Sequence, residues 1–301
     1  MVRRGARQAA GKAFAWLEAN RGNFRISRER TDIMPWRVKP IGELIFLLTV
    51  LKGYGLRLRV LDELTRFALE EAATFDWQEL AAFDPSAATP LAFIADFYAL
   101  ENRPAPFDME YFEFLRKTEF FEGIDRLPYR EMDVAYCYSR LGIPDQQGKL
   151  KMWFASTTFG RRQHLARYTI DDIYSLTHAI FYLTDVGLQP VAGTLDGVTV
   201  HRLQRELVAL TAIMMRADNI DVLGELLLCW IFCGLAPTAF ETTVFAAGLE
   251  RVLAFASVEG AVAPRHRVRE RANAAEATFG ELYHTTLVAA LLFSLAARRK
   301  I

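Results

Sequence analysis

The sequence has little cysteine. Its three cysteines, Cys137, Cys229 and Cys233, all lie in apolar stretches that are typical of buried helices. A disulfide scaffold needs more cysteines in a shorter chain, and the spacing of Cys229 and Cys233 is unlike that of zinc-binding motifs. We therefore expect reduced, mostly buried thiols, no disulfide, no structural metal ion and no cofactor.

The sequence also lacks an excess of charge of either sign. Its 36 basic residues equal its 36 acidic residues, whereas a general nucleic-acid-binding protein carries surplus positive charge. The N-terminal stretch has no apolar segment of the kind found in signal peptides. The most apolar run, residues 222–235, is too short to cross a bilayer and contains Glu225. We expect a cytoplasmic protein that binds neither nucleic acid nor a membrane.

What the sequence does contain is hydrophobic residues, 52% of the total, arranged almost throughout with helical periodicity. Some stretches are apolar on nearly every side and must be surrounded by protein, whereas others have a single apolar face. The two types alternate along the chain, apart from one short turn-strand predicted at residues 191–200. The buried type comprises residues 41–50, 90–100, 131–141, 173–186, 220–233 and 278–296. The amphipathic type comprises residues 6–19, 58–73, 109–120, 151–167, 199–216 and 238–257.

Three of the buried stretches end in the same signal, a glycine followed closely by a proline. The glycines are Gly142, Gly187 and Gly234, and they are separated by about the length of one helical hairpin. A glycine in the left-handed conformation followed by a proline is a recognised end of a helix. The repetition predicts an all-α fold of six helical hairpins in one domain, residues 1–301.

These hairpins could form an open solenoid or a closed ring. An open solenoid needs a polar helix at each end to cover its apolar interior. The last buried stretch, residues 278–296, is instead among the most apolar in the chain. We therefore predict a closed α/α toroid with an inner and an outer layer of helices.

Ionisable residues recur at one position within the buried stretches. Asp133, His178 and Glu225 each lie nine residues before the glycine that ends the stretch. If the hairpins are equivalent, the three side chains meet in one central cavity. Since Asp133 lies in the middle of its stretch, where a capping role would not explain it, it is the first candidate for a catalytic base.

A second pattern, the tripeptide Gly-Glu-Leu, adds further candidates. It occurs at residues 42–44, 224–226 and 280–282, and it is interpreted as the opening of three buried helices. Glu281 joins the predicted catalytic set in this way, and His284, one helical turn beyond it, is predicted to contact the substrate. The glutamates have an alternative role as partners of the helix dipole, and His178 has one as an ordinary core histidine.

The residues one turn below the first ring are polar or polarisable. They are Cys137, Tyr182, Cys229 and Thr285, and because residues four apart on a helix share a face, they are predicted to line the same cavity. Of these, Cys137 and Tyr182 are predicted to contact the substrate. His178 with two carboxylates is also a plausible set of ligands for a divalent ion, although no local motif supports it.

Basic clusters lie in the predicted loops. Arg161 and Arg162 precede the His178 stretch, and Arg28, Arg30 and Arg37 precede the first buried stretch. A solvated surface explains such clusters in most proteins. Arginines at the mouth of a toroid would also bind sulfate, phosphate or carboxylate groups, so Arg161 and Arg162 are predicted to bind an anionic part of the substrate.

Residues 168–187, which include His178 and Tyr182, resemble a helical actinobacterial family found in natural-product gene clusters. Glu225 and residues 281–286 share in the resemblance, which extends over roughly residues 130–290. Within that setting the chain is similar to the aziridine-forming proteins of azinomycin biosynthesis, which work with a small partner subunit.

The resemblance implies ring closure by intramolecular attack of an amine, with loss of sulfate. In such a reaction a carboxylate, Asp133 or Glu225, would take the proton of the amine, and Arg161 or Arg162 would stabilise the departing sulfate. Two other functions remain open on the residues alone. One is a non-catalytic module that binds a peptide or protein, and the other is a metal-dependent or glycan-processing toroid enzyme.

Overall fold

The structure, a computed structural model, describes residues 2–27, 34–273 and 277–298. These residues form fourteen α-helices and five short 3-10 turns. They contain no strand, and their β-type pairing is a single bridge between Ala256 and Val262. The fold is therefore all-α, as the sequence predicts.

The helices follow one another along the whole chain. They are α1 (Val2–Ala19), α2 (Met34–Gly53), α3 (Arg59–Ala72), α4 (Trp77–Phe83), α5 (Ala88–Leu100), α6 (Met109–Lys117), α7 (Pro128–Arg140), α8 (Gln146–Ser156), α9 (Ile170–Leu183), α10 (Gly197–Arg216), α11 (Ile220–Cys233), α12 (Ala239–Ala254), α13 (His266–Asn273) and α14 (Phe279–Arg298). They fall into two compact units. The first unit comprises Met1–Asn20 and Arg162–Ile301, and the second comprises Arg21–Arg161. The prediction of one domain over residues 1–301 stays a prediction.

The first unit is organised around α11. This helix packs against α9, α10, α12 and α14, and α1 lies along α14. Because α11 has neighbours on so many sides, all of its residues are buried. A helix in this position must be apolar nearly all round. Charged residues on α11 are therefore unusual and are candidates for a functional role.

The second unit contains a row of three buried helices, α2, α5 and α7. α5 lies between α2 and α7, and α3 and α8 cover α2 and α7 respectively. Its core is rich in aromatic side chains, among which Phe97, Phe112 and Phe121 are almost completely buried. The unit therefore has a hydrophobic core of its own.

All six stretches that the sequence marks as buried are helices in the structure. They correspond to α2, α5, α7, α9, α11 and α14. The three glycines have positive φ angles, 74° at Gly142, 86° at Gly187 and 65° at Gly234. The predicted stop signal is confirmed at Gly142 and Gly234, which lie directly at the ends of α7 and α11. At Gly187 the helix ends earlier, because α9 stops at Leu183 and Asp185 already has a positive φ.

The amphipathic stretch 151–167 was predicted incorrectly. Helix α8 ends at Ser156, and a turn and a 3-10 turn (Leu165–Arg167) follow. The hydroxyl of Thr157 donates to the carbonyl of Phe154 at 2.7 Å and accepts the backbone N–H of Gly160 at 3.0 Å. A side chain that satisfies both backbone groups stops a helix from continuing.

The predicted turn-strand at residues 191–200 is also wrong. Val191–Gly193 is a 3-10 turn, and residues 197–200 already belong to α10. The cause is Asp196, whose carboxylate accepts the backbone N–H of Thr199 at 2.9 Å and so caps the start of that helix. Two short helices, α4 and α13, have no counterpart among the predicted stretches.

The Gly-Glu-Leu tripeptides do not mark equivalent places. Glu281 lies in the first turn of α14, whereas α11 begins at Ile220, so Glu225 lies beyond its first turn. Since α2 begins at Met34, Glu43 lies deeper still within its helix. The three glutamates therefore need not share a role.

Among the described residues, α14 is the one helix whose length and composition would allow it to cross a membrane, and 72% of its most apolar stretch is buried inside the protein. Its contacts with α1 and α11 account for that burial. A buried core helix of this length can be as long and as apolar as a membrane-spanning helix, so these two properties alone do not identify a membrane span.

Candidate functional site

Three neighbouring helices of the first unit bring two carboxylates and two histidines together. Asp221 and Glu225 lie one turn apart on α11 and therefore share a face. His284 on α14 places its Nε2 3.7 Å from Asp221 Oδ1 and 3.7 Å from Glu225 Oε1. His178 on α9 places its Nδ1 3.8 Å from Glu225 Oε2. We call these four residues the polar cluster.

Glu225 is the most deeply buried member of the cluster, with 2% of its surface exposed. The hydroxyl of Thr177 donates a hydrogen bond of 2.6 Å to its Oε2. Its other oxygen, Oε1, is the one that faces His284. A buried carboxylate is costly unless hydrogen bonds or a positive charge compensate for the lost hydration.

Asp221 is held by two hydroxyl groups. Tyr174 donates to its Oδ2 at 2.6 Å and Thr285 donates to its Oδ1 at 2.7 Å. Burial, followed by the nearby Asp221 carboxylate, raises the pKa of Tyr174 well above its ordinary value. The phenol therefore keeps its proton and remains a donor to Asp221.

The ring of His178 is oriented by the backbone of its own helix. Its Nδ1 lies 2.9 Å from the carbonyl oxygen of Tyr174, and since a carbonyl only accepts, the ring nitrogen donates there. This tautomer leaves the lone pair on Nε2. The ring also stacks on Phe181, with centroids 5.8 Å apart, and meets the edge of Tyr182 at 6.2 Å.

The charge of the cluster is unusual. No lysine or arginine among the described residues forms an ion pair with Asp221 or Glu225, and the basic side chains within 4 Å of them are the two imidazoles. Two carboxylates close together inside a protein normally require a compensating positive charge. A bound cation or a proton on an imidazole would supply that charge.

The structure places some of the predicted site residues in this cluster and others elsewhere. His178, Glu225 and His284 belong to it, and Tyr182 and Thr285 contact its members. Asp133 and Cys137 lie on α7 in the second unit. The meeting of Asp133 with His178 and Glu225 in one cavity stays a prediction.

Within the second unit, Asp133 lies 3.5 Å from a guanidinium nitrogen of Arg130. Cys137 lies one turn further along α7 and is fully buried. Burial, with smaller effects from the carboxylates of Asp133 and Asp96, raises the pKa of the Cys137 thiol well above its ordinary value. A thiol in this environment stays protonated and is a poor nucleophile.

Glu281 forms a hydrogen bond and an ion pair at the start of α14. Its carboxylate accepts the backbone N–H of Thr278 at 2.9 Å and pairs with Arg271. These interactions, the backbone hydrogen bond first, lower its pKa. Of the two roles that the sequence left open for Glu281, the structure supports the capping role.

The remaining glutamate and arginines are more superficial. Glu43 lies 3.6 Å from Lys39 on the same helix. Arg161 and Arg162 are exposed in the turn that follows α8. Arg37 donates to the carbonyl of Ser27 at 2.7 Å, whereas Arg28 and Arg30 lie outside the described residues.

Sequence reasoning missed Asp221, Tyr174 and Thr177. Asp221 lies in the first turn of α11, where an acidic residue is commonly a partner of the helix dipole, so its position alone does not indicate a site. Its spacing of four residues from Glu225 was the available signal, since that spacing puts both carboxylates on one face. The hydroxyls of Tyr174 and Thr177 carried no signal, because buried hydroxyls are common in helices of this kind.

A protein-family model described as "Domain of unknown function (DUF6895)" matches residues 10–293 and so spans nearly the whole chain. The match includes all four residues of the polar cluster. No curated protein and no solved structure matches the chain.

Proposed function

Since this chain belongs to the DUF6895 family, whose description carries no activity, we propose a function from the polar cluster itself. The protein is an enzyme that moves a proton on a small molecule bound beside α9, α11 and α14. The observation that carries this proposal is the buried carboxylate of Glu225 between two imidazoles. Carboxylates and histidines at such distances are the usual groups of acid–base catalysis.

His178 is the proposed base. Its Nδ1 is occupied by the carbonyl of Tyr174 at 2.9 Å, so the basic lone pair lies on Nε2. When Nε2 takes a proton, the ring becomes positively charged. Glu225 Oε2, 3.8 Å from Nδ1, then stabilises the imidazolium. We prefer His178 to Asp133 because the carboxylate of Asp133 already pairs with the guanidinium of Arg130, 3.5 Å away.

The proposed reaction is the one that the resemblance implies. The nitrogen of a substrate amine attacks a carbon of the same molecule and forms a new N–C bond. The C–O bond to the sulfate breaks, and its electron pair leaves with the sulfate. The proton lost by the amine goes to Nε2 of His178, so that the products are a three-membered ring, sulfate and an imidazolium.

The arrangement proposed for the helices is the closed α/α toroid of six hairpins. It is supported by the alternation of buried and amphipathic helices and by the three glycine stops. Small-angle X-ray scattering tests it, since a closed ring of this mass has a smaller radius of gyration than an open solenoid. The small partner subunit implied by the resemblance is part of the same proposal.

The test of the reaction uses a simple amine with a sulfate leaving group, 2-aminoethyl hydrogen sulfate. Release of sulfate and appearance of aziridine are followed by ion chromatography and NMR. His178→Gln should lower the rate about 10²-fold or more, whereas His201→Gln, an exposed histidine on α10, should leave it unchanged. A folded His178→Gln protein with full activity would remove His178 from the mechanism, and a wild-type protein that releases no sulfate would reject the ring-closing reaction.

A further inference from the structure

We infer that Asp221, Glu225 and His284 hold a divalent first-row transition-metal ion. Each offers one ligand atom, and these three atoms all lie within 4.8 Å of one another. The ion's part in the reaction rests on the function proposed above, whereas its binding does not.

The separations within the cluster fit an ion. His284 Nε2 lies 3.7 Å from an oxygen of each carboxylate, which is too long for a hydrogen bond. Metal–ligand bonds of about 2.0–2.2 Å place neighbouring ligand atoms about 3–3.5 Å apart. Small rotations of the three side chains therefore bring them into coordinating positions around one ion.

One carboxylate oxygen faces the histidine directly. Glu225 is 2% exposed, and Thr177 donates to its Oε2, while its Oε1 lies 3.7 Å from Nε2 of His284. An ion between Glu225 and His284 would give the negative charge of this carboxylate a positive partner.

The surrounding hydroxyls form the kind of support that metal sites have. Thr177 donates to the second oxygen of Glu225, while Tyr174 donates to the second oxygen of Asp221. Hydrogen bonds of this type fix the orientation of a ligating carboxylate, and removing one commonly costs 10- to 100-fold in metal affinity.

The ligand types define the class of ion. Two carboxylate oxygens and one imidazole nitrogen suit Mn²⁺, Fe²⁺ or Zn²⁺ better than Ca²⁺ or Mg²⁺, which favour oxygen ligands alone. Three protein ligands leave coordination positions open for water or substrate. The side chain of His284 is 34% exposed, so a ligand has access to the site from the side of α14.

An ion here would solve a difficulty of the proposed reaction. A departing sulfate is repelled by the buried carboxylates of Asp221 and Glu225, and no arginine or lysine among the described residues pairs with them. A divalent ion neutralises both carboxylates and attracts the leaving anion. His178 stays outside the ligand set and keeps its role as base.

The experiment measures binding of Mn²⁺ and Zn²⁺ to protein that has been stripped with a chelator. Titration calorimetry gives the affinity, and the EPR signal of free Mn²⁺ gives the stoichiometry. One ion per chain is expected. Glu225→Gln and His284→Gln should each weaken binding at least about 100-fold, and Tyr174→Phe, which removes only a supporting hydroxyl, should weaken it about 10-fold.

Matched controls come from the same unit. Glu206 is another partly buried carboxylate that accepts a tyrosine hydroxyl, from Tyr168 at 3.0 Å, and His201 is an exposed histidine. Glu206→Gln and His201→Gln should bind the ion as tightly as the wild type. Because glutamine still accepts the hydroxyl of Thr177, Glu225→Gln is expected to fold, which circular dichroism checks.

The outcomes separate this inference from the proposed function. Absence of saturable one-to-one binding of both ions overturns the inference, as does binding that Glu225→Gln, His284→Gln and Tyr174→Phe leave unchanged. Binding with the expected pattern in a protein whose His178→Gln variant is fully active supports the metal site and rejects the proton-transfer role. Full activity of the stripped protein rejects the ion's part in the reaction and leaves His178 as base.

Discussion

The two units bury their carboxylates beside different partners. In the first unit, Asp221 and Glu225 accept hydroxyl hydrogen bonds and lie near imidazoles. In the second unit, Asp96 accepts a hydrogen bond of 3.0 Å from Arg140, and Asp133 lies 3.5 Å from Arg130. The buried acids of one unit thus meet neutral donors and weak bases, whereas those of the other meet permanent cations.

The difference decides whether a carboxylate is neutralised within the protein. An arginine is always positively charged, so a carboxylate beside it is neutralised within the protein. A hydroxyl orients a carboxylate without neutralising it, so the negative charge remains to act on something else. The predictions below change one partner in each unit and compare the consequences.

The largest effect is expected in the second unit, from Arg140→Met. Asp96, whose side chain is 9% exposed, would then remain buried as an uncompensated charge. Breaking such a pair should lower the free energy of unfolding by about 3 kcal/mol, measured by urea denaturation. Arg216, an exposed arginine in the last turn of α10, is the matched control, and Arg216→Met should cost about 0.5 kcal/mol or less. Equal costs for the two variants would mean that the Asp96–Arg140 pair does not stabilise the second unit.

A smaller effect is expected in the first unit from Gly224→Ala, which tests how closely α11 and α14 must approach to form the polar cluster. A methyl group at this position would lie 2.8 Å from Cγ1 of Val288 on α14. The two helices must then separate slightly, at a cost of about 1–3 kcal/mol, and the distance from His284 to Glu225 should increase. The free energy of unfolding, measured by urea denaturation, and the affinity for Mn²⁺ should therefore both fall.

The control for this substitution is Gly148→Ala in α8 of the second unit. No atom lies within 4 Å of a methyl group placed there, so the change should stabilise the protein by about 0.5–1 kcal/mol through helix propensity. A Gly224→Ala variant that is as stable as Gly148→Ala and binds Mn²⁺ normally would show that the close packing of α11 on α14 is not needed.

The positions of the helices were largely predictable, and the contents of the site only partly so. Buried helices such as α11 can be recognised in the sequence because a helix surrounded by protein must be apolar on every face. Gly142, Gly187 and Gly234 were predictable for a backbone reason, since glycine adopts positive φ without strain. Both signals are local in the sequence.

The site depends on which helices become neighbours, and that information is not local. The nine-residue register groups Asp133 with His178 and Glu225, a prediction that stays open because Asp133 belongs to the second unit, where it lies beside Arg130. Asp221 joins the cluster because α14 brings His284 and Thr285 to it. No spacing within one helix could have specified that contact between helices.

In the absence of metal ions, Glu225→Gln should have a smaller effect on stability than Gly224→Ala and should not destabilise the protein. The variant keeps the acceptor for the hydroxyl of Thr177 and removes a buried charge. The free energy of unfolding should be unchanged or higher by about 1 kcal/mol, in contrast to the loss predicted for Arg140→Met. With Mn²⁺ present, the wild type should gain stability and Glu225→Gln should not, because only the former binds the ion tightly. A large loss without metal would mean that Glu225 is a structural charge like Asp96.

The smallest effect concerns Glu281, a half-buried acid of the first unit that caps α14 rather than joining the cluster. Its pKa is lowered by the backbone hydrogen bond from Thr278 and then by Arg271. A group whose folded-state pKa is lowered contributes stability above its ordinary pKa, and that contribution disappears as the pH falls through the folded-state pKa. The melting temperatures of the wild type and Glu281→Gln should therefore differ at pH 7 and converge in acid, below the ordinary glutamate pKa of about 4.3.

Mn²⁺ affinity at pH 7 should be the same in both proteins, because Glu281 supports the helix end and not the ion. A melting difference that persists unchanged into acid would show that the carboxylate of Glu281 does not act through its charge, and a loss of Mn²⁺ binding would place it with Glu225 after all.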